Sequence, residues 1–265
     1  MKKIGLALGS GGWRGGAHMG GIRTLEKHGI PIDFIAGTSV GAIVGGLYAY
    51  KKEIDKVEDI FKQFKGINFA KTFLDISGEG GLLKGKRFIK YLNEYLNGAE
   101  IKDTQIPFCA TATDMLSGES VVITDGSLAE TLQISSTIPV LFKPTLSKGK
   151  YLVDGAITVP IPVQIVKNMG ADIVIAVDTL KAIFPIDKRI IGKITGTKAA
   201  HIALRILLES LSKRDVVNAD FIINPKIPGA ETGFMLKTLI NKNISNYGEE
   251  ATEKIIPDIK KLLSK

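Results

Sequence analysis

Residues Gly37-Thr38-Ser39-Val40-Gly41 spell G-x-S-x-G, set between an apolar run, Ile32–Ala36, and a helical stretch, Gly41–Tyr50. A nucleophile elbow requires this context: a serine held at a sharp strand-to-helix turn, with its hydroxyl lifted clear of the backbone. The turn also sets the hydroxyl at a helix N-terminus, where unpaired N–H groups favour developing negative charge. Gly37 and Gly41 give such a turn its clearance, since side chains there would collide. The same five residues also fit a tight turn in which Ser39 only caps the helix. Chemistry therefore needs partners for the hydroxyl.

One partner is Gly9-Ser10-Gly11-Gly12-Trp13-Arg14-Gly15, which follows the apolar run Ile4–Leu8. Successive glycines let backbone N–H groups converge on one point, as an oxyanion demands, and Arg14 adds positive charge beside them. A dinucleotide fingerprint does not fit. Its third glycine position holds Arg14, and the acid expected at the end of the second strand is missing, because Asp33 lies at its start. Three histidines are present: His28 beside Gly29 at a helix end, His201 on a polar helical stripe, and His18 within the first helix. None is placed for a Ser-His-Asp triad, so either there is no hydrolase or the base is a carboxylate. Asp114 opens a turn, and Asp125 reads as a helix cap. Asp154 instead ends Tyr151–Val153 and precedes Gly155 and an irregular stretch with Pro160 and Pro162, as a residue projecting from a sheet end would.

These residues need a scaffold, and short apolar runs alternating with helical patterns predict one: crossover units around a largely parallel sheet, hence an α/β fold. Strands are expected at Ile4–Leu8, Ile32–Ala36, Pro107–Thr113, Glu119–Thr124, Tyr151–Val153, Asp172–Val177 and Phe221–Ile223, the third and fourth joined as a hairpin through Ser117-Gly118. Helices are expected at Gly15–His28, Gly41–Tyr50 and Leu128–Ile134. Two amphipathic helices are carried by Ile54, Val57, Ile60, Phe61 and Phe64 and by Phe88, Ile89, Leu92, Tyr95 and Leu96. Across Ala199–Lys213, Ala199, Ile202, Ala203, Ile206 and Leu207 share one face, and His201, Arg205, Glu209 and Lys213 form a stripe on the other, which is expected to face water. No repeat, low-complexity tract or linker divides the chain, so residues 1–265 read as a single domain.

Hydrophobic residues at 45% and charged residues at 23% exclude a disordered, collagen-like or disulfide-scaffold chain. The net charge of +8 is uneven, with 15 basic and 9 acidic side chains in residues 181–265. The single cysteine, Cys109, permits no internal disulfide and fits a reducing compartment. Ile4–Leu8 is too short for a signal h-region, and the uncharged stretch Phe34–Tyr50 is too short and glycine-rich to span a bilayer, so a soluble, cytoplasmic protein is expected. Gly80–Lys86 fits G-x-x-x-x-G-K, but Arg87 stands where a magnesium-binding Ser or Thr belongs, which leaves nucleotide binding as a secondary alternative. No His, Cys, Asp or Glu cluster has metal-ligand spacing, and no metal is expected.

Together the motifs resemble the patatin-like phospholipase family, whose members show G-G-G-x-[RK]-G, G-x-S-x-G and D-G-[GA] in that order. Here the blocks are Ser10–Gly15, Gly37–Gly41 and Asp154-Gly155-Ala156, and Ser135–Pro144 resembles the family's stretch before the aspartate. The resemblance implies a three-layer α/β/α fold with a mostly parallel central sheet. It implies a hydrolase of lipid acyl esters, of phospholipase A or lysophospholipase type, working without a cofactor through an acyl-serine intermediate. Ser39 would be the nucleophile and Asp154 the base. The Gly11 and Gly12 amides with Arg14 would hold the oxyanion, while Gly37, Gly41 and Gly155 support the elbow and the aspartate loop.

A free aspartate, with a pKa of about 3.9, is too acidic for an efficient base at neutral pH, so Asp154 is expected to be desolvated with its pKa raised. Two positions depart from the family pattern. Ser10 replaces the first glycine and leaves the Gly11 and Gly12 donors available. Val159 stands where members carry Asn, which implies a differently held aspartate loop and sluggish turnover, and keeps open a relative that binds lipid without hydrolysing it. A lipid substrate also suits Trp13 beside the carbonyl site, and Phe69, Phe73, Leu74 and Leu83 as parts of a lid. The mixed basic and apolar segment Lys181–Lys198 suits peripheral contact with an anionic membrane surface. Nucleic acid is not an expected partner.

Overall fold

Strand β1 (Ile4–Leu8) is buried along its whole length, as an unbroken apolar run requires when both faces of a strand are covered. The computed structural model describes residues 2–63, 85–139, 141–181, 196–228 and 243–264. β1 pairs in parallel with β2 (Phe34–Gly37) and β7 (Ile173–Val177). β2 pairs in parallel with β3 (Phe108–Asp114), and β7 with β8 (Phe221–Ile223). Three antiparallel strands complete the sheet beside β3: β4 (Ser120–Ile123), β5 (Thr145–Ser147) and β6 (Lys150–Asp154). The α/β architecture with a mostly parallel central sheet is as expected.

Alternation along the strands sorts large from small side chains and so makes three layers. Ile4, Leu6, Leu8, Ile35, Phe108 and Ile175 belong to one cluster with residues of α1 (Gly16–Lys27), α2 (Val40–Lys51), α3 (Ile54–Gln63), α4 (Lys86–Leu96) and α5 (Leu128–Ser135). The opposite face is lined by Ala7, Ala36, Cys109 and Ala176, which pack with Val163 and Val166 of α6 (Val163–Asn168). Small residues there let α6 approach closely. Cys109 is buried within this face, with its Sγ 3.5 Å from Met169 Sδ.

α1 packs against α8 (Ile244–Glu253) almost backbone to backbone: a Cβ on Gly20 would strike the Ser245 carbonyl, and one on Gly248 would strike the Ala17 carbonyl. Arg23 of α1 locks the contact, donating to Ser245 Oγ at 2.9 Å and Glu249 Oε1 at 3.0 Å while pairing with Asp55 and Glu58 of α3. The chain closes with α9 (Ile256–Leu263), whose Ile256 and Ile259 join the large cluster.

Helix α7 (Gly196–Asp215) corrects the sequence reading. Arg205 is only 7% exposed and Ser212 is fully buried, whereas Ile206 and Leu207 are 51% and 60% exposed. The middle of the polar stripe turns inward, with Arg205 buried and the Glu209 side chain 15% exposed, while Lys213 at its end stays in water, paired with Glu209. Arg205 and Asp178 both lie near Arg14, Arg214 Nη2 donates to the Thr158 carbonyl at 3.1 Å, and Asp215 Oδ2 accepts from the Ile161 N–H at 3.1 Å. Asp125 is also not the helix cap. Ser127 caps α5 by accepting from the Glu130 N–H, while Asp125 pairs with Lys148. The first helix begins as a short 3-10 turn, Gly12–Gly15, before α1. Residues 69–83, suggested as a lid, most of Lys181–Lys198 and Gly80–Lys84 of the nucleotide-loop alternative lie outside the described residues. Among the described residues no helix is long and apolar enough to cross a membrane.

Gly20→Val forces α1 and α8 apart. It is expected to lower the unfolding free energy by about 1–3 kcal/mol in urea titrations, because backbone cannot yield to a branched side chain as a rotamer could.

Candidate active site

The register of three strands places Ser39 and Asp154 at one level. β2 ends with Gly37 opposite Ala110 of β3, and Asp154 stands opposite Ala112, two residues further along β3. β4 and β6 both pair with Ala112 and Thr113, so they occupy opposite edges of β3. β4 also shares Ala110 with β2, which leaves β6 continuing the edge on which β2 stops. β6 runs antiparallel, so its last residue meets the turn after β2 head-on. Ser39 lies two residues beyond Gly37, and its Oγ donates to Asp154 Oδ2 at 2.6 Å. Both side chains are buried.

The elbow is held against its own strain. Ser39 has φ 56° and ψ −124°, a conformation that costs a side-chain-bearing residue of order 1–3 kcal/mol. The Ser39 N–H donates to Ser135 Oγ at 2.9 Å, and the Ser39 carbonyl accepts from the Ala42 N–H at 2.9 Å. Thr38 N–H donates to the Leu8 carbonyl at 3.0 Å, and Thr38 Oγ1 to the Val159 carbonyl at 2.9 Å. A Cβ on Gly41 would strike the Leu8 and Gly9 carbonyls, and one on Gly37 would come within 2.5 Å of Ala42 Cα. Both glycines of the pentapeptide are thus demanded by close approach.

Asp154 is fixed from every side. Its Oδ1 accepts from the Ala156 N–H at 2.8 Å, its N–H donates to the Thr137 carbonyl at 2.9 Å, and its carbonyl accepts from Thr113 Oγ1 at 3.1 Å. Gly155 follows, where a Cβ would strike Thr111. Burial pushes the Asp154 carboxyl up to about 6, against the hydrogen bonds from Ser39 and Ala156, which favour its charged form. Val159, the departure from the family pattern, acts through its main chain. Its carbonyl receives Thr38 Oγ1 and its N–H donates to the Gly155 carbonyl at 2.9 Å, so the loop is tied to the elbow without an asparagine side chain.

The glycine loop is clamped up to Ser10. The Gly9 N–H donates to the Val177 carbonyl at 3.1 Å and the Ser10 N–H to the Pro160 carbonyl at 2.9 Å. Thr179 Oγ1 donates to the Ser10 carbonyl at 2.7 Å, and the buried His18 donates from Nε2 to the Gly9 carbonyl at 2.8 Å. Among the described residues the next two amides, Gly11 and Gly12, have no backbone acceptor. Gly12 has φ 57° with open space around its Cα, a combination that glycine supplies at no steric cost. Burial, and the like charge of Arg205, lower the Arg14 pKa to about 10, while Asp178 opposes the shift. Trp13 is half-buried against the large cluster.

The remaining candidates are structural. His18 supports the glycine loop, and burial lowers its pKa to about 4, so it is neutral there. His28 lies at the surface, 2.7 Å from Glu253. Asp114 accepts from the Leu116 N–H and Ser117 Oγ within its turn. Ser135 opens the stretch before the aspartate that carries the family resemblance, without its contact to the Ser39 N–H being legible there; Asp178 and Thr179 carry no such mark. Asp178 ends an apolar strand just as Asp154 does, which was the available signal, whereas nothing local marks Thr179. A groove of about 540 Å³, lined by Ile101, Phe108, Cys109, Ile165 and Met169, opens at the amino end of β3, away from Ser39.

The family model described as patatin-like phospholipase matches residues 6–167. The chain belongs to the patatin-like phospholipase family. This patatin-like chain is 34% identical over 175 residues to an NTE family protein of Mycobacterium tuberculosis, covering 66% of the chain and 48% of the relative. It is 37% identical over 182 residues to lysophospholipase NTE1 of Mycosarcoma maydis, covering 66% of the chain and 10% of that protein. It is 33% identical to patatin-like phospholipase domain-containing protein 7 of Rattus norvegicus, covering 66% and 13%. The chain thus spans less than half the length of these relatives. The crystal structure of VipD from Legionella pneumophila shares the fold, with a TM-score of 0.61 at 17% identity over 97% of this chain and 67% of that one.

The raised Asp154 pKa favours the folded state below pH 3.8, and that contribution is lost as pH rises through about 6. The lowered His18 pKa acts oppositely, so stability is lost as pH falls from 6.5 towards about 4. Asp154→Asn is therefore expected to raise the unfolding free energy at neutral pH by about 3 kcal/mol. It should also expose a steeper loss of stability on acidification, measurable by urea unfolding over that pH range.

Proposed function

We propose that this chain hydrolyses lipid acyl esters of the phospholipase A or lysophospholipase type through a Ser39–Asp154 dyad. The observation that carries the reading is the 2.6 Å hydrogen bond from Ser39 Oγ to Asp154 Oδ2, made at a strained elbow beside two free-facing glycine amides. Asp154 takes the Ser39 proton as Oγ bonds to the carbonyl carbon of the ester, and the carbonyl π electrons move onto oxygen. The Gly11 and Gly12 N–H groups, with Arg14 near, hold that oxyanion. Collapse expels the alcohol, which takes the proton back from Asp154 and leaves an acyl-serine. Water then attacks the acyl carbon and gives its proton to Asp154, and collapse breaks the bond to Oγ, so the fatty acid departs as Ser39 Oγ takes the proton back from Asp154.

Asp154 suits a base for the reason that makes it unusual. A carboxyl pushed up to about 6 is largely ionised at neutral pH yet holds a proton more firmly than a surface aspartate, so the transfer is less uphill. Support for a lipid ester comes from the family and from relatives named for lysophospholipase activity.

Ser39→Ala is expected to lower turnover of a fatty acyl ester at least about 10³-fold and to abolish labelling by a fluorophosphonate probe. In the native protein kcat/KM should rise with one ionisation near pH 6, because only the deprotonated carboxylate accepts the serine proton. A profile flat down to pH 4, or undiminished labelling of Ser39→Ala, would sink the proposal.

A further inference from the structure

We infer that the end of the sheet projecting beyond the site is a docking surface for an anionic lipid bilayer. This rests on the lipid-ester reading above. β2 stops opposite Ala110, but β3 continues to Asp114 and turns through Met115–Gly118, so the β3–β4 turn, with β5 and β6 beside it, rises about 13 Å past the end of β2. Four large apolar side chains are exposed there among Ser117, Glu119 and the lysines. Met115 is 59% exposed, Leu116 77%, Leu146 62% and Tyr151 46%.

Strand pairing makes these four side chains one patch. The Met115 N–H donates to the Tyr151 carbonyl at 2.8 Å, and Leu146 is the cross-strand partner of Tyr151. Met115, Tyr151 and Leu146 therefore stand in a row across three segments, with Leu116 next at the tip of the turn. Water gains nothing from such a row, and a fold that buries Leu152 and Val153 on the same strand has not run out of interior. Tyr151 precedes Asp154 by three residues on β6, which puts the row about 10 Å from the candidate base along the strand.

Charge selects the occupant. Residues 143–153 contain Lys143, Lys148 and Lys150 and no acidic residue; of the neighbouring acids, Asp125 pairs with Lys148 and Glu119 is exposed in the β3–β4 turn, so the positive charge at the patch is carried at Lys150 beside Tyr151. Lys148 and Lys150 flank the β5–β6 turn beside Leu146 and Tyr151, both exposed. Apolar side chains at a turn tip, a tyrosine at the edge and a lysine alongside match the acyl boundary, the headgroup level and the phosphates of an anionic leaflet in turn. A bilayer held there presents its ester groups at the mouth of the site.

The test is co-sedimentation with vesicles of equal parts phosphatidylcholine and phosphatidylglycerol, alongside hydrolysis of a soluble short-chain ester. The native protein should sediment with the vesicles. Met115→Ser/Leu116→Ser should reduce its partitioning about tenfold or more, Lys150→Glu should weaken it further as salt falls, and short-chain ester hydrolysis should stay unchanged in both. Ser39→Ala should bind vesicles like the native protein, and native protein that binds vesicles but hydrolyses no ester would refute the enzymatic reading and leave the surface intact. Unchanged partitioning of the double variant, or no native binding, would overturn the inference. So would a native dimer in light scattering that the double variant dissolves, because the row would then be a self-interface.

Discussion

Everything at the site depends on a strand that ends and another that arrives from the opposite direction on the same edge. β2 and β6 share one side of β3, so the residues after Gly37 and at the end of β6 face each other across a gap that a single hydrogen bond closes. Side chains alternate along a strand, so a shift of one residue between β3 and β6 would turn Asp154 to the other face. The contacts at Thr137, Thr113 and Ala156 pin that register. The neighbouring threonines Thr38, Thr111 and Thr113 satisfy buried polar groups around it.

The same arrangement sets the electrostatics. Burial raises the Asp154 carboxyl to about 6 and lowers the His18 imidazole to about 4. Both shifts come from removing a charge from water, and both favour the neutral group. Their effects on stability run in opposite directions over nearly one pH interval, so the fold tolerates a carboxyl that costs it stability at neutral pH. Two arginines near the glycine loop, Arg14 and Arg205, repel each other, and Arg14 is balanced in part by Asp178, whose own carboxyl burial pushes up.

Much of this was legible in the residues because the demands are local. Apolar runs located β1, β2, β3, β7 and β8 to within a residue or two, and the close approaches at Gly37 and Gly41 made the elbow readable as a pattern. What the residues could not disclose was long-range. Nothing in Tyr151–Val153 says which edge of which strand it joins. β5 has three residues, too few for a period. The helix Gly196–Asp215 shows why amphipathicity alone misleads: spacing reveals two faces but not which one meets protein, and here the Thr158 carbonyl and the Ile161 N–H take Arg214 and Asp215 while Arg205 is buried. Asp125 was misplaced because Ser127, two residues on, is the better acceptor for the first turn of its helix.

Cys109 carries a consequence of its own. It lies on β3, one residue before the position that pairs with Gly37, and burial pushes its thiol up to about 12. Thiolate is the reactive form, so an alkylating reagent finds nothing to attack while β3 keeps its place. Being the chain's single cysteine, it is a built-in reporter. The rate at which it is modified measures how often the strand that aligns Ser39 with Asp154 comes free.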